Sequence, residues 1–215
     1  MKLYQNAMGL LMLGVGLIGL PASAKQSPNF EQGTEYQIIA PKESEKPIIE
    51  EFFNYACGAC FSMEKLASEI QNENPGVEFK LIPVELNPSW KIYVKAYYIG
   101  EKLAVLDKSH MALFRRIHVD KKPIRNDDDL KDFYVSLGVD AAEYDKVAKS
   151  FWLNTQIRMS KQYAMKSKVI GTPTFVINKR YKLENKELGS GDRIKQAIRE
   201  FSQIDTAPAE QATEQ

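Results

Sequence analysis

Hydrophobic and polar positions divide the chain into segments of different period. Residues Met8 to Leu20 are apolar, Gly-rich and uncharged; Pro21 breaks the run and Ala22-Ser23-Ala24 follows. Residues 25 to 34 are polar, and Glu35 to Ile39 predicts a first, edge strand that ends at Pro41 and a charged Lys42-Glu43-Ser44-Glu45-Lys46 turn. After Pro47, the run Ile48-Ile49-Glu50-Glu51-Phe52-Phe53-Asn54-Tyr55 is rich in β-branched and aromatic side chains and predicts a strong strand. Met63, Leu66, Ala67 and Ile70 recur at helical spacing, so a helix is expected to about Asn72, before the Asn74-Pro75-Gly76 stop. Val77 to Leu86 reads as a second core strand with Pro83 as a blemish, closed by Asn87-Pro88.

From Trp90 to Lys168 the period is helical throughout. Asn126 ahead of Asp127-Asp128-Asp129 caps a helix whose stripe is Leu130, Phe133, Tyr134 and Leu137, with Gly138 as its end. Asp140 to Lys149 and Phe151 to Lys168 predict two more helices. Thr174-Phe175-Val176-Ile177-Asn178 then predicts a strand, Lys179-Arg180 a turn, and Tyr181-Lys182-Leu183 its hairpin partner. Gly189-Ser190-Gly191-Asp192 opens a last helix carrying Ile194, Ala197, Ile198 and Phe201. Short strands flanking helices predict an α/β fold: a mixed sheet, covered on both faces and split by a long helical insertion. The expected division is a leader at 1–24, a sheet domain at 25–87 and 169–204, the helical insertion at 88–168, and a disordered Ala, Glu, Gln, Thr and Pro tail at 205–215.

Composition changes this picture mainly at the N-terminus. Lys2, the apolar run and the small-x-small site have the grammar of a cleaved secretory signal, and the run is short of the ~20 residues needed to span a bilayer. Export to the periplasm is therefore expected, with a mature chain starting near Lys25. Loss of Lys2 leaves 28 basic side chains against 28 acidic ones. That balance gives no electrostatic case for nucleic acid or for an anionic membrane surface.

The candidate chemistry lies in sulfur. The chain has two cysteines, Cys57 and Cys60, separated by Gly58-Ala59. They can pair only with each other within the chain, and so small a ring constrains little of the unfolded state, which favours a redox function over a structural one. A CxxC between a strand and a helix is the thioredoxin-like redox arrangement. Cys57 falls at the helix N-terminus, where unpaired backbone N–H groups and the helix dipole favour a thiolate. A zinc site would need further ligands, and His110 and His118, eight apart, fall off the usual ligand spacing. Both are expected as surface residues of the insertion, and no cofactor or metal is expected.

Three segments together resemble the DsbA family of periplasmic thiol:disulfide oxidoreductases. They are Glu51-Phe52-Phe53-x-Tyr55-x-Cys57-x-x-Cys60, the helical block including Ile124-Arg125 to Tyr144-Asp145, and Gly171-Thr172-Pro173-Thr174-Phe175-Val176-Ile177-Asn178 with Tyr181. The similarity runs from about Glu31 to Phe201. It implies a thioredoxin fold with an inserted helical domain, Cys57 as exposed nucleophile, Cys60 as resolving thiol, and a cis Pro173 packed against the disulfide. It also implies that Thr172 offers its backbone to an extended substrate strand, and that a buried Glu51 relays a proton for the resolving thiol. Of the adjacent pair Glu50 and Glu51, one is expected to face out.

Two departures from the family bear on function. The dipeptide is Gly58-Ala59 where the family has Pro-His, and Thr172 stands where valine is common. Both predict a weaker oxidant than a Pro-His enzyme. The basic partner usual for the buried acid is replaced by Leu81, with Lys80 beside it. The leading expectation is an exported monomer that passes its disulfide to reduced or unfolded exported proteins and is reoxidised by a DsbB-type membrane quinone reductase. A reductase or isomerase of the same fold, or a non-enzymatic chaperone-like binder, are the alternatives.

Overall fold

The computed structural model describes residues 29–203. The expected leader and tail lie outside the described residues. Five strands form one sheet: β1 (Tyr36–Ile38), β2 (Ile48–Phe53), β3 (Glu78–Pro83), β4 (Thr174–Ile177) and β5 (Tyr181–Leu183), in the order β1-β5-β4-β2-β3. Only β2 and β3 run parallel, and the α1 helix (Gly58–Glu73) makes the crossover between them. The pairs β2–β4, β4–β5 and β1–β5 are antiparallel.

Helices α2 (Lys91–Lys102), α3 (Leu106–His118), α4 (Asp127–Ser136), α5 (Ala141–Ala148) and α6 (Phe151–Lys166) all fall between β3 and β4. Their starts are local. Asn126, Asp140 and Ser150 each accept a backbone N–H of the first turn, as N-cap side chains do. The short α7 (Asn185–Leu188) was not legible in the pattern; α8 (Gly191–Phe201) was. Ser190 caps α8, and Ile194, Ala197, Ile198 and Phe201 form its buried stripe. Phe201 stacks on Tyr181 with ring centroids 4.7 Å apart. The hairpin turn sits one residue earlier than predicted, because Asn178 and Lys179 take the positive φ values, 50° and 57°.

Helices cover both faces of the sheet, and this overturns one expectation. Ile49, Phe175 and Ile177 pack under Ile70 of α1 and Ile194 and Ile198 of α8. On the other face Phe52 and Val176 pack against Ala164 of α6. Every residue of β2 is buried, Glu50 and Glu51 included. Alternation does send the two carboxylates to opposite faces, but neither face is solvent.

Candidate active site

Cys57 is the N-cap of α1, with extended backbone (φ −82°, ψ 111°), and its Sγ accepts the Cys60 N–H at 3.1 Å. The sulfur therefore does the capping that a serine or aspartate oxygen usually does. The Cys57 thiol also reaches the Thr172 carbonyl at 3.5 Å, and the Thr172–Pro173 peptide is cis. Strand β4, register-paired to β2, carries this loop to the mouth of α1. Gly58 and Ala59 are exposed and Cys60 is fully buried, but Cys57, expected to be exposed, is only 8% exposed because the Thr172–Pro173 loop lies against it.

The two thiols sit in opposite electrostatic conditions. Hydrogen bonds from Cys60, Thr172 and the backbone N–H groups of Ala59 and Cys60 pull the Cys57 pKa down to about 6, against the opposing cost of burial. Burial, with the Cys57 sulfur beside it, holds the Cys60 thiol protonated, well above the ordinary cysteine value. The arrangement can present one thiolate and hold one thiol in reserve.

Glu51 lies fully buried at the end of β2. Its carboxyl pKa is raised to about 8, first by burial, then by the charges of Glu64 and Cys57. Neither oxygen has a hydrogen-bond partner among the described residues. Across the β2–β3 ladder it pairs with Leu81, while Lys80 pairs with Glu50, so the usual basic neighbour is indeed missing. Glu50 sends both oxygens to the Tyr163 hydroxyl of α6, at 2.7 and 2.6 Å.

The two histidines correct the sequence reading. Both are half-buried, and α3 turns both toward α1. His110 contacts the Tyr55 hydroxyl at 2.9 Å through Nδ1 and Glu64 at 3.2 Å through Nε2. His118 Nε2 lies 2.8 Å from the Tyr55 carbonyl, and its ring stacks on Phe61 (centroids 5.2 Å, 10° between planes). Its Nδ1 and Cε1 lie 3.9 Å from where a β-carbon on Gly58 would stand. The signal was in the sequence. His110, Phe114 and His118 are spaced i, i+4, i+8, one stripe of a helix whose buried residues include Phe114. A cleft of about 880 Å³ beside Ala56 is lined by Trp90, Tyr93, Ile124, Leu153 and Ile157. Ile170, two residues before Thr172, is 91% exposed.

A sheet of this order, an N-terminal CxxC with one acidified and one buried thiol, and a cis-proline loop over the sulfur define a thioredoxin-fold thiol:disulfide oxidoreductase. The family model of the DSBA-like thioredoxin domain matches residues 92–198. The thiol:disulfide interchange protein DsbA of Pseudomonas aeruginosa is 26% identical over 180 residues, covering 81% of this chain and 85% of its own length. That of Bordetella pertussis is 29% identical over 174 residues, 80% and 83%. The crystal structure of P. aeruginosa DsbA superposes with a TM-score of 0.73 at 25% identity, over 80% of this chain and 94% of that one. Proteus mirabilis DsbA, solved with a non-covalently bound peptide PWATCDS, superposes at 0.69 and 22% identity, over 80% and 98%. The chain is similar to the DsbA family along most of its length, and its fold is the thioredoxin fold with an inserted helical domain.

Proposed function

We propose that this protein introduces disulfide bonds into newly exported proteins through Cys57 and Cys60. The observation that carries the proposal is the asymmetry of the two thiols, a Cys57 pKa near 6 against a buried, protonated Cys60. In the oxidised protein a substrate thiolate attacks Cys57 Sγ, and the Cys57–Cys60 bond breaks with its electron pair going to Cys60. A second substrate thiolate attacks the mixed disulfide, and Cys57 leaves as a thiolate. The substrate loses two electrons and two protons; the protein takes both electrons and one proton, on Cys60, and the other proton goes to solvent while Cys57 stays a thiolate. Glu51, protonated below about pH 8, can hand its proton to the Cys60 sulfur as that bond breaks. The Thr172 backbone and the Pro173 loop lie against an extended substrate segment, with exposed Ile170 as apolar ground for an unfolded chain and the cleft beside Ala56 offering a mixed polar and apolar lining.

In this reading residues 25–87 and 169–204 form the thioredoxin-like unit and 88–168 the insertion. The protein works as a monomer in the periplasm after loss of 1–24, and a DsbB-type quinone reductase restores its disulfide. The family relationship supports these points, as does the leader-like N-terminus; among the described residues no helix is long and apolar enough to cross a membrane. Gly58-Ala59 in place of Pro-His, and Thr172 in place of valine, support a potential more negative than about −120 mV.

The test is a pair of variants. Cys57→Ser abolishes transfer to a reduced substrate, and Cys60→Ala accumulates mixed disulfides that name the substrates. Unchanged activity toward unfolded substrates in Cys57→Ser returns the protein to a chaperone-like binder. A reduced steady state of the pair in cells, with Gly58-Ala59 and Thr172 in the site, indicates a reductase.

A further inference from the structure

The Gly58-Ala59 dipeptide offers no polar side chain to the sulfur before it, yet an imidazole stands beside it. We infer that His118, from the last turn of α3, is the electrostatic partner of the Cys57 thiolate, a positioning residue that the helical insertion supplies to the CxxC. The inference rests on the reading of Cys57 as the attacking thiol.

The geometry brackets Cys57. One edge of the His118 ring meets the carbonyl of Tyr55, two residues before the cysteine, at 2.8 Å. The opposite atoms, Nδ1 and Cε1, face the Cα of Gly58, one residue after it. A carbonyl can only accept, so Nε2 carries hydrogen and Nδ1 is the nitrogen turned toward the CxxC. Phe61 stacks on the ring and Phe114 lies 6.1 Å from it, which keeps the imidazole in place and lowers the local dielectric. A side chain on residue 58 larger than alanine would share this space, so the glycine leaves room for the ring.

Glu51 of β2 also faces the dithiol, where its charge and that of Cys57 oppose one another; the remaining charged or titratable groups on the packed elements are occupied elsewhere. Glu64 of α1 is held by His110. Tyr97 and Glu101 of α2 line the cleft on the His110 side, about 12 Å along α3 from His118. Arg116 acts on Tyr93 of α2, and Arg115 and Asp120 are exposed. Cys57 is thus the titratable group bracketed by the His118 ring. An imidazolium there favours the thiolate, hence the reduced protein, and makes the disulfide the stronger oxidant.

The experiment compares the unaltered protein with His118→Gln, which keeps a donor for the Tyr55 carbonyl, and with His118→Lys, which keeps a charge. Two quantities are read: the Cys57 titration from thiolate absorbance, and the equilibrium protein disulfide + 2 GSH ⇌ dithiol + GSSG. His118→Gln is expected to raise the Cys57 pKa by about one unit, which at about pH 7 moves the equilibrium about fivefold toward the protein disulfide. His118→Lys restores it. An unchanged Cys57 titration in His118→Gln, or a failure of His118→Lys to restore it, overturns the inference and leaves the site reading intact. A Cys57 that titrates at the ordinary cysteine value in the unaltered protein overturns both.

Discussion

Glu50 and Glu51 are neighbours on one strand, both buried, and differ in almost everything else. Glu50 points to the α6 face, where the Tyr163 hydroxyl serves both oxygens and Lys80 and Lys179 lower the cost of its charge. Glu51 points to the α1 face, where no hydrogen bond meets it and the nearest charges, Glu64 and Cys57, oppose its ionisation. The first carboxylate is built in as structure. The second is kept poised to hold or lose a proton beneath the dithiol. A buried polar group without partners is costly, and such a cost tends to persist where function uses it.

The largest way to break the comparison is to remove the unpartnered acid. Glu51 has a raised folded pKa, about 8 against an unfolded value near 4.5, so the native state binds the extra proton between those values. Unfolding free energy then falls as pH rises from about 4.5 to about 8 and flattens above. Glu51→Leu removes that slope: it is expected to stabilise the protein by on the order of a few kcal/mol at pH 9 and by little at pH 5. Urea titrations at the two pH values measure it, while the transfer rate falls about 10²-fold if the acid supplies the proton to Cys60. Equal transfer rates would reduce Glu51 to a structural residue.

Tyr163→Phe comes next, and works on the other face. It strands the Glu50 carboxylate and costs about 2–3 kcal/mol in urea unfolding, with the Cys57 titration unmoved. A change in thiol reactivity would join two faces that the structure keeps apart. Ser160→Ala, which frees the Pro83 carbonyl on the same face, costs about 1 kcal/mol and likewise spares the thiols. The smallest effect is expected from Glu64→Gln. Removing that charge lowers the Glu51 pKa and moves the upper end of the stability slope to lower pH.

Alkylation of the reduced protein sharpens the dithiol itself. Cys57 reactivity rises with pH through about 6 and then levels, since its thiolate is the reacting form, and Cys60 stays unmodified across the range.

Legibility followed distance along the chain. The cap at Asn126 and the helix starts near Asp140, Phe151 and Gly191 were readable because each is set by hydrogen bonds within three residues. So were the strands, the CxxC helix and the hairpin. α7 escaped because a four-residue helix carries no full period. Glu50 escaped because alternation tells which way a side chain points, not what waits there; its partner lies 113 residues away. His118 escaped because its meaning depends on Tyr55, 63 residues earlier.

The sequence by itself determined the local elements, the single cysteine pair and its place at a helix N-terminus, because propensity, capping and spacing act over a few residues. Only the tertiary structure decided which acid found a hydroxyl, which was left bare beneath the dithiol, and which histidine came to lie against Gly58. Those are outcomes of how an inserted helical block packs on a sheet. The packing sums many weak contacts between distant segments, and periodicity specifies only the face that each segment brings to them.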